Sequence, residues 1–117
     1  MCFFMVNVNV NAMLFLSRYY VDKFVKKNKE LEDKGINKRS AIINFSSIAA
    51  FGSSKRFSLY SSTKSFNRVF SLSLTTEYES QGVDVMVVTP MNVKSGMNSG
   101  IYLGTITSQD HAKSVID

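Results

Sequence analysis

The chain has 117 residues, 44% of them apolar and 20% charged, which leaves room for one small domain. A lone cysteine, Cys2, excludes an internal disulfide and suits a reducing compartment, and no stretch approaches the roughly 18 consecutive apolar residues a membrane-spanning helix needs. Fourteen Lys and Arg against nine Asp and Glu give a net charge of +5; seven of those cations fall between Lys23 and Arg39, mixed with Glu30, Glu32 and Asp33. Interspersed signs of this kind read as a solvated helix end and loop, not as a surface for nucleic acid or anionic lipid.

In chain order, the opening Met1-Cys2-Phe3-Phe4-Met5-Val6 has the apolar character of a secretory signal. No basic residue precedes it, however, and asparagines break the run at positions 7, 9 and 11. The Val/Asn alternation from Val6 to Asn11 suits a strand and a helix equally, so periodicity leaves that segment open. Ala41-Ile42-Ile43-Asn44-Phe45 predicts a short buried strand. It empties into Ser46 and Ser47 and then a Gly52-Ser53-Ser54 loop. A helix is predicted from about Ser58 to Ser80, with Phe66, Val69, Phe70 and Leu74 on one stripe and Gly82 as its stop. Val83 to Thr89 is rich in β-branched residues and predicts a strand covered on both faces. Strand, helix and strand in that order make a βαβ unit with a parallel pair. The glycines at 96, 100 and 104 are spaced four and four after the last strand, and are expected in a loop, with no βαβ unit beyond them. The single histidine, His111, is expected as a solvated helix residue, since a metal site needs several ligands. Cys2 has no histidine near it and is not expected as a nucleophile.

Chemistry concentrates at Tyr60-Ser61-Ser62-Thr63-Lys64, with Ser47 thirteen residues before the tyrosine. Residues four apart share a helix face, so the Lys64 ammonium is placed beside the Tyr60 phenol. A neighbouring positive charge favours phenolate and lowers a tyrosine pKa from its reference of about 10. A phenol tuned in that way serves as general acid or base near neutral pH. The pair alone also describes a surface tyrosine whose ring covers a lysine stem. Its frame adds weight: Ser47 and Tyr60 both fall at the carboxyl edge of the predicted strands, where open α/β sheets bind ligands.

On these residues the chain resembles the short-chain dehydrogenase/reductase family, whose catalytic tetrad is Asn, Ser, Tyr and Lys. The serine after an Ile-Asn-Phe-Ser-Ser strand fits Ser47, and Tyr60 and Lys64 follow at the family's spacing. Of the three asparagines in Val6 to Asn11, Asn9 aligns best, because Val10-Asn11-Ala12 then replaces the usual Val-x-Gly. Pro90-Met91-Asn92-Val93-Lys94-Ser95 looks like the family's Pro-Gly-x-Val-x-Thr, with Met91 in place of glycine. Tyr60 to Phe66 and Glu77 to Val83 are most similar to the branch of the 17β-hydroxysteroid dehydrogenases and very-long-chain 3-oxoacyl-CoA reductases.

The resemblance implies a partial Rossmann-like, doubly wound parallel sheet over residues 1–117. This is the catalytic half, without the first βαβ unit and its Gly-rich phosphate turn. It favours a helix for Asn7 to about Lys27. It implies an NAD(P)-dependent oxidoreductase interconverting a ketone and a secondary alcohol, of 3-oxoacyl-CoA or steroid type, present as a truncated chain. Under it Tyr60 gives the proton, Lys64 tunes Tyr60 and meets the nicotinamide ribose, Ser47 holds the carbonyl oxygen and Asn9 anchors a water. Pro90, Val93 and Ser95 border the nicotinamide of NADP or NAD. The alternative is an inactive remnant acting as an interaction or dimerisation module, since the helices carrying Asn9 and Tyr60 form the family's usual subunit interface. The branch implies the endoplasmic reticulum, with the cytoplasm as the alternative.

Overall fold

A computed structural model describes residues 2–52, 55–95 and 104–116; Ser53, Ser54, Gly96 and Gly100 lie outside the described residues. The chain opens as one continuous helix. α1 (Cys2–Val6), a π-helical turn (Asn7–Asn11) and α2 (Ala12–Glu32) follow one another with Val6, Asn11 and Ala12 all in right-handed helical conformation. Met5, Val6, Val10, Met13 and Leu14 are partly buried at helical spacing, which decides the segment that alternation left open.

α2 runs to Glu32, past the Lys27 expected from the sequence. Val25, Asn28 and Leu31 prolong its inward face at three-residue steps. Gly35 then ends it. With φ at +73°, Gly35 donates its N–H to Glu32 O, and Ile36 donates back to Leu31 O, a Schellman closure. The charged stretch is exposed as expected, apart from those inward residues.

β1 (Ser40–Phe45) and β2 (Val83–Val88) pair in parallel, Ser40 opposite Val83 and Phe45 opposite Val88. α3 (Ser58–Tyr78) makes the crossover; a 3₁₀ turn (Glu79–Gln81) and left-handed Gly82 close it. The predicted βαβ unit is therefore present, its ends within a residue or two of those expected.

Layering departs from expectation. α2 and α3 both lie on one face, where Val21, Leu74, Val83 and Val85 form the buried core and Phe24, Val25, Ile42, Phe70 and Tyr78 surround it. On the opposite face Ile43 is 45%, Phe45 50% and Met86 50% exposed. The β-branched run gave both strands two apolar faces, but the two long helices cover only one of them. A polar group also sits in the layer: Asn44 Nδ2 donates to Ser71 Oγ at 3.0 Å and to Ser17 Oγ at 3.4 Å.

Beyond β2, two short strands were not expected, whereas the helix expected around His111 is present. β3 (Val93–Lys94) pairs in parallel with β4 (Ile106–Thr107), and α4 (Ser108–Ile116) follows at once. Thr107 Oγ1 accepts from Asp110 N–H at 3.1 Å and donates to the Asp110 carboxylate, so Thr-x-x-Asp caps α4. α4 brings the His111 ring within 6.1 Å of the Phe45 ring, so His111 is half-buried against the sheet, not solvated.

Candidate active site

At the carboxyl edge the two strand exits stay tied to each other. Ser46 donates its N–H to Val88 O at 2.8 Å, and Ile48 donates to Pro90 O at 3.0 Å. Between them Ser47 is extended and buried, and its Oγ accepts from Ala49 N–H at 3.2 Å, starting the short 3₁₀ turn Ile48–Phe51. A hydroxyl that accepts in this way keeps its own proton to donate elsewhere.

Tyr60 is the third residue of α3, half-buried, with Phe57 edge-on at 6.2 Å. One turn later Lys64 holds its Nζ 5.8 Å from the Tyr60 ring centroid and donates to Phe45 O at 3.3 Å. Ser46 Oγ donates to Lys64 O at 2.6 Å, so strand exit and helix turn hold each other in both directions. Burial pushes the Lys64 ammonium pKa below the ordinary lysine range. An ammonium has three N–H groups, and the Phe45 carbonyl takes one.

Asn9 reaches the same region from the π turn, where its Nδ2 donates to Thr63 Oγ1 at 3.1 Å. π turns inside helices re-aim side chains in this way, often at functional positions. Asn9, Lys64, Phe45 and Asn67 line one open cleft of about 280 Å³. Pro90 and Val93 line another, apolar and about 450 Å³, with Ile43, Phe45, His111 and Ala112 on the outer face. Ser95 is exposed in the bend after β3. Met91 places its sulfur against Gly104, 3.0 Å from where a Cβ would stand, and Gly104 has φ +78°.

The structure thus gathers Asn9, Tyr60 and Lys64 around one turn of α3, with Ser47 and Pro90 at the joined strand exits and Val93 and Ser95 further along the chain. Sequence reasoning passed over Asn67. Its Nδ2 shares the Phe45 carbonyl with Lys64, at 3.3 Å. The signal was available, since Asn67 follows Lys64 by three and lies on the same helix face.

Comparison with known proteins gives the family and the fold. The family model described as short chain dehydrogenase matches residues 4–104. The chain is similar to 17-beta-hydroxysteroid dehydrogenase type 3 of Mus musculus, 30% identical over 93 residues, covering 80% of this chain and 27% of that protein. It is also similar to very-long-chain 3-oxoacyl-CoA reductase-A of Danio rerio, 31% identical over 93 residues, covering 80% and 26%. The chain therefore spans little more than a quarter of the length of these curated relatives. Among solved structures, a bulky-bulky ketone specific alcohol dehydrogenase from Comamonas testosteroni superposes with TM-score 0.76 at 19% identity, over 95% of this chain and 39% of that one. A short-chain dehydrogenase from Sphingobium yanoikuyae in complex with NADPH gives 0.72 at 19% identity, over 95% and 42%. These structural likenesses show a Rossmann-like parallel α/β fold.

Proposed function

The chain belongs to the short-chain dehydrogenase family, and from that premise we propose that it carries the proton-handling half of an NAD(P)-dependent oxidoreductase acting on a ketone and its secondary alcohol. Its similarity to steroid dehydrogenases and 3-oxoacyl-CoA reductases favours a steroid or 3-oxoacyl-CoA substrate and a place in the endoplasmic reticulum. Among the described residues no helix is long and apolar enough to cross a membrane. The single observation that carries the reading is the half-buried Lys64 ammonium held beside the Tyr60 ring at the carboxyl edge of a parallel pair.

The site fits one end of the cofactor. Lys64 has N–H groups left for a ribose hydroxyl, and Pro90 and Val93 offer an apolar wall to a nicotinamide ring. The sequence does not contain the Thr-Gly-x-x-x-Gly-x-Gly motif that the family uses to cradle the cofactor pyrophosphate. When bound, the cofactor supplies the hydride. The protein's part is positional and acid–base. Ser47 donates its free hydroxyl proton to the substrate carbonyl oxygen, stabilising the charge that develops there. Tyr60 delivers a proton to that oxygen, with the Lys64 ammonium one turn along the helix beside its ring. Asn9 fixes the helix turn that carries both groups by holding Thr63.

The test joins the Gly-rich cofactor-binding half of a 3-oxoacyl-CoA reductase ahead of Met1 in one polypeptide. The product is expected to reduce a 3-oxoacyl-CoA or steroid ketone with NADPH, and no turnover with either class overturns the reading. The 117-residue chain alone is expected to bind NADPH more weakly than micromolar in calorimetry; micromolar binding would show that the phosphates are held elsewhere in it.

A second reading rests on a different observation. Phe15 is 70% exposed and Tyr19, Val69 and Leu72 are also exposed, so α2 and α3 leave an apolar surface uncovered. A homodimer through the helices carrying Asn9 and Tyr60 would cover it, with or without catalysis. Sedimentation of the chain is expected to show a dimer that Phe15→Glu with Val69→Glu dissolves; a monomer at all concentrations removes this reading.

A further inference from the structure

Just before Tyr60 the chain makes two locally unfavourable choices. Arg56 takes φ +72°, a left-handed conformation that residues other than glycine adopt only at a cost. Phe57 then fills the N-cap of α3. Its carbonyl accepts the first helical bond, from Ser61 N–H at 2.8 Å, but its side chain makes no capping bond to the N–H groups the helix leaves open. Serine, threonine, aspartate and asparagine are the residues favoured there. Ser58 is of that type but comes one position too late, and no acidic residue stands in the first turn. Burial does not explain the choice, because Phe57 is 54% exposed and its ring lies edge-on to Tyr60 itself. Ile48, which directly follows Ser47, is about half exposed as well, and its N–H is tied to Pro90 O. Phe51, further along the same turn, differs: the Arg68 guanidinium covers its ring at 4.5 Å. Local rules broken without a packing gain mark functional positions.

We propose that Phe57 is a specificity-determining residue, whose exposed ring, together with Ile48 beside Ser47, bears the apolar body of a ketone held by Ser47 and Tyr60. The ligand class is a ketone with bulky apolar carbon next to the carbonyl, steroid-like in shape, in preference to a short or charged one. Burying ring and substrate against each other removes apolar surface from water, and that gain is open only to a substrate long enough to reach the ring. Capping energy given up at the start of α3 is thus exchanged for selectivity. The role in turnover rests on the oxidoreductase reading above; the apolar contact does not.

The experiment begins with the full 117-residue chain and needs no activity. On titration with a steroid ketone followed by NMR, the Phe57 ring and Ile48 methyl signals are expected to move further than those of Phe3 and Ile116, which are more exposed. Phe57→Ala is expected to reduce the Ile48 shift. Equal shifts at all four residues, or none at Phe57, overturn the proposal. Thermal unfolding reads the capping argument: Phe57→Asn supplies a capping side chain and is expected to raise the midpoint by about 4 °C. A lowered midpoint shows that Phe57 packs the fold, and overturns the proposal too. In the fused enzyme, Phe57→Ala is expected to lower the ratio of kcat/KM for a steroid ketone over that for a short aliphatic ketone about tenfold, and Phe57→Tyr to keep it within about twofold. An unchanged ratio in Phe57→Ala removes the specificity role. A fused enzyme with no turnover condemns the oxidoreductase reading, and the titration and the midpoint then decide the apolar contact alone.

Discussion

The two ends of the β1–β2 pair are built differently. At the amino-terminal end, Asn28 donates to Gly82 O at 2.7 Å and accepts from Ser40 Oγ at 2.8 Å, which ties α2 to the turn before β2 and to the start of β1. Beside it, Arg39 grips Asp84 through Nε at 2.9 Å and Nη2 at 2.6 Å, and also donates to Glu79 O. The polar atoms at that end are occupied by one another. At the carboxyl end, Ser47 keeps a free proton and Lys64 has donors to spare. Hydrogen-bonding capacity spent at one end holds the fold; capacity held back at the other is available to a substrate.

That contrast sets the order of the mutational effects. The largest belongs to the carboxyl end and concerns rate, not stability. Tyr60→Phe in the fused enzyme is expected to lower kcat by about 10²–10⁴-fold, the usual worth of general acid catalysis, with an unchanged thermal midpoint. A loss under about tenfold would remove Tyr60 from the proton path.

At the amino-terminal end the effects should fall on stability alone. Asn28→Ala leaves Gly82 O and the Ser40 hydroxyl without their partner and is expected to cost about 1–3 kcal/mol in denaturant unfolding. Gly82→Ala forces a side chain into a φ of +77° and brings its Cβ to 3.1 Å from Asn28 Nδ2. It is expected to cost about 1–2 kcal/mol. Equal stability of either variant and wild type would mean that this end is not the clamp described.

The smallest effects are pH-dependent and have opposite locations. Burial holds the folded pKa of Lys64 below its unfolded value, so between the two the unfolded chain carries the extra proton. Stability contributed by this site therefore rises with pH across that window, and Lys64→Met should abolish the rise. Arg39 holds Asp84 below the usual carboxylate range. Its contribution is present above the ordinary carboxylate pKa and lost as pH falls through the lowered folded value, so Asp84→Asn should flatten the acid side of the stability curve. Both partners are about half exposed, which keeps this effect slight. Matching pH–stability curves for wild type and each variant would remove the assignment.

What the sequence determined by itself is what depends on spacing along the chain. The order of β1, α3 and β2 follows from two apolar runs around a helical stripe, the stop from Gly82, and the shared face of Tyr60 and Lys64 from their four-residue spacing, all local properties. The likeness of Asn9, Ser47 and the Pro90 segment to a known pattern carried the family. Tertiary structure decided the rest, because the deciding partners are far apart in sequence. α2 continues past Lys27 because Asn28 finds Gly82, 54 residues away. The outer faces of β1 and β2 stay exposed because α2 and α3 chose the same side. β3 and β4, two residues each, exist only through one another, since so short a run has no pattern of its own. Asn67, an unremarked position on a long helix, meets the Phe45 carbonyl, 22 residues earlier in the chain, only once the fold has formed.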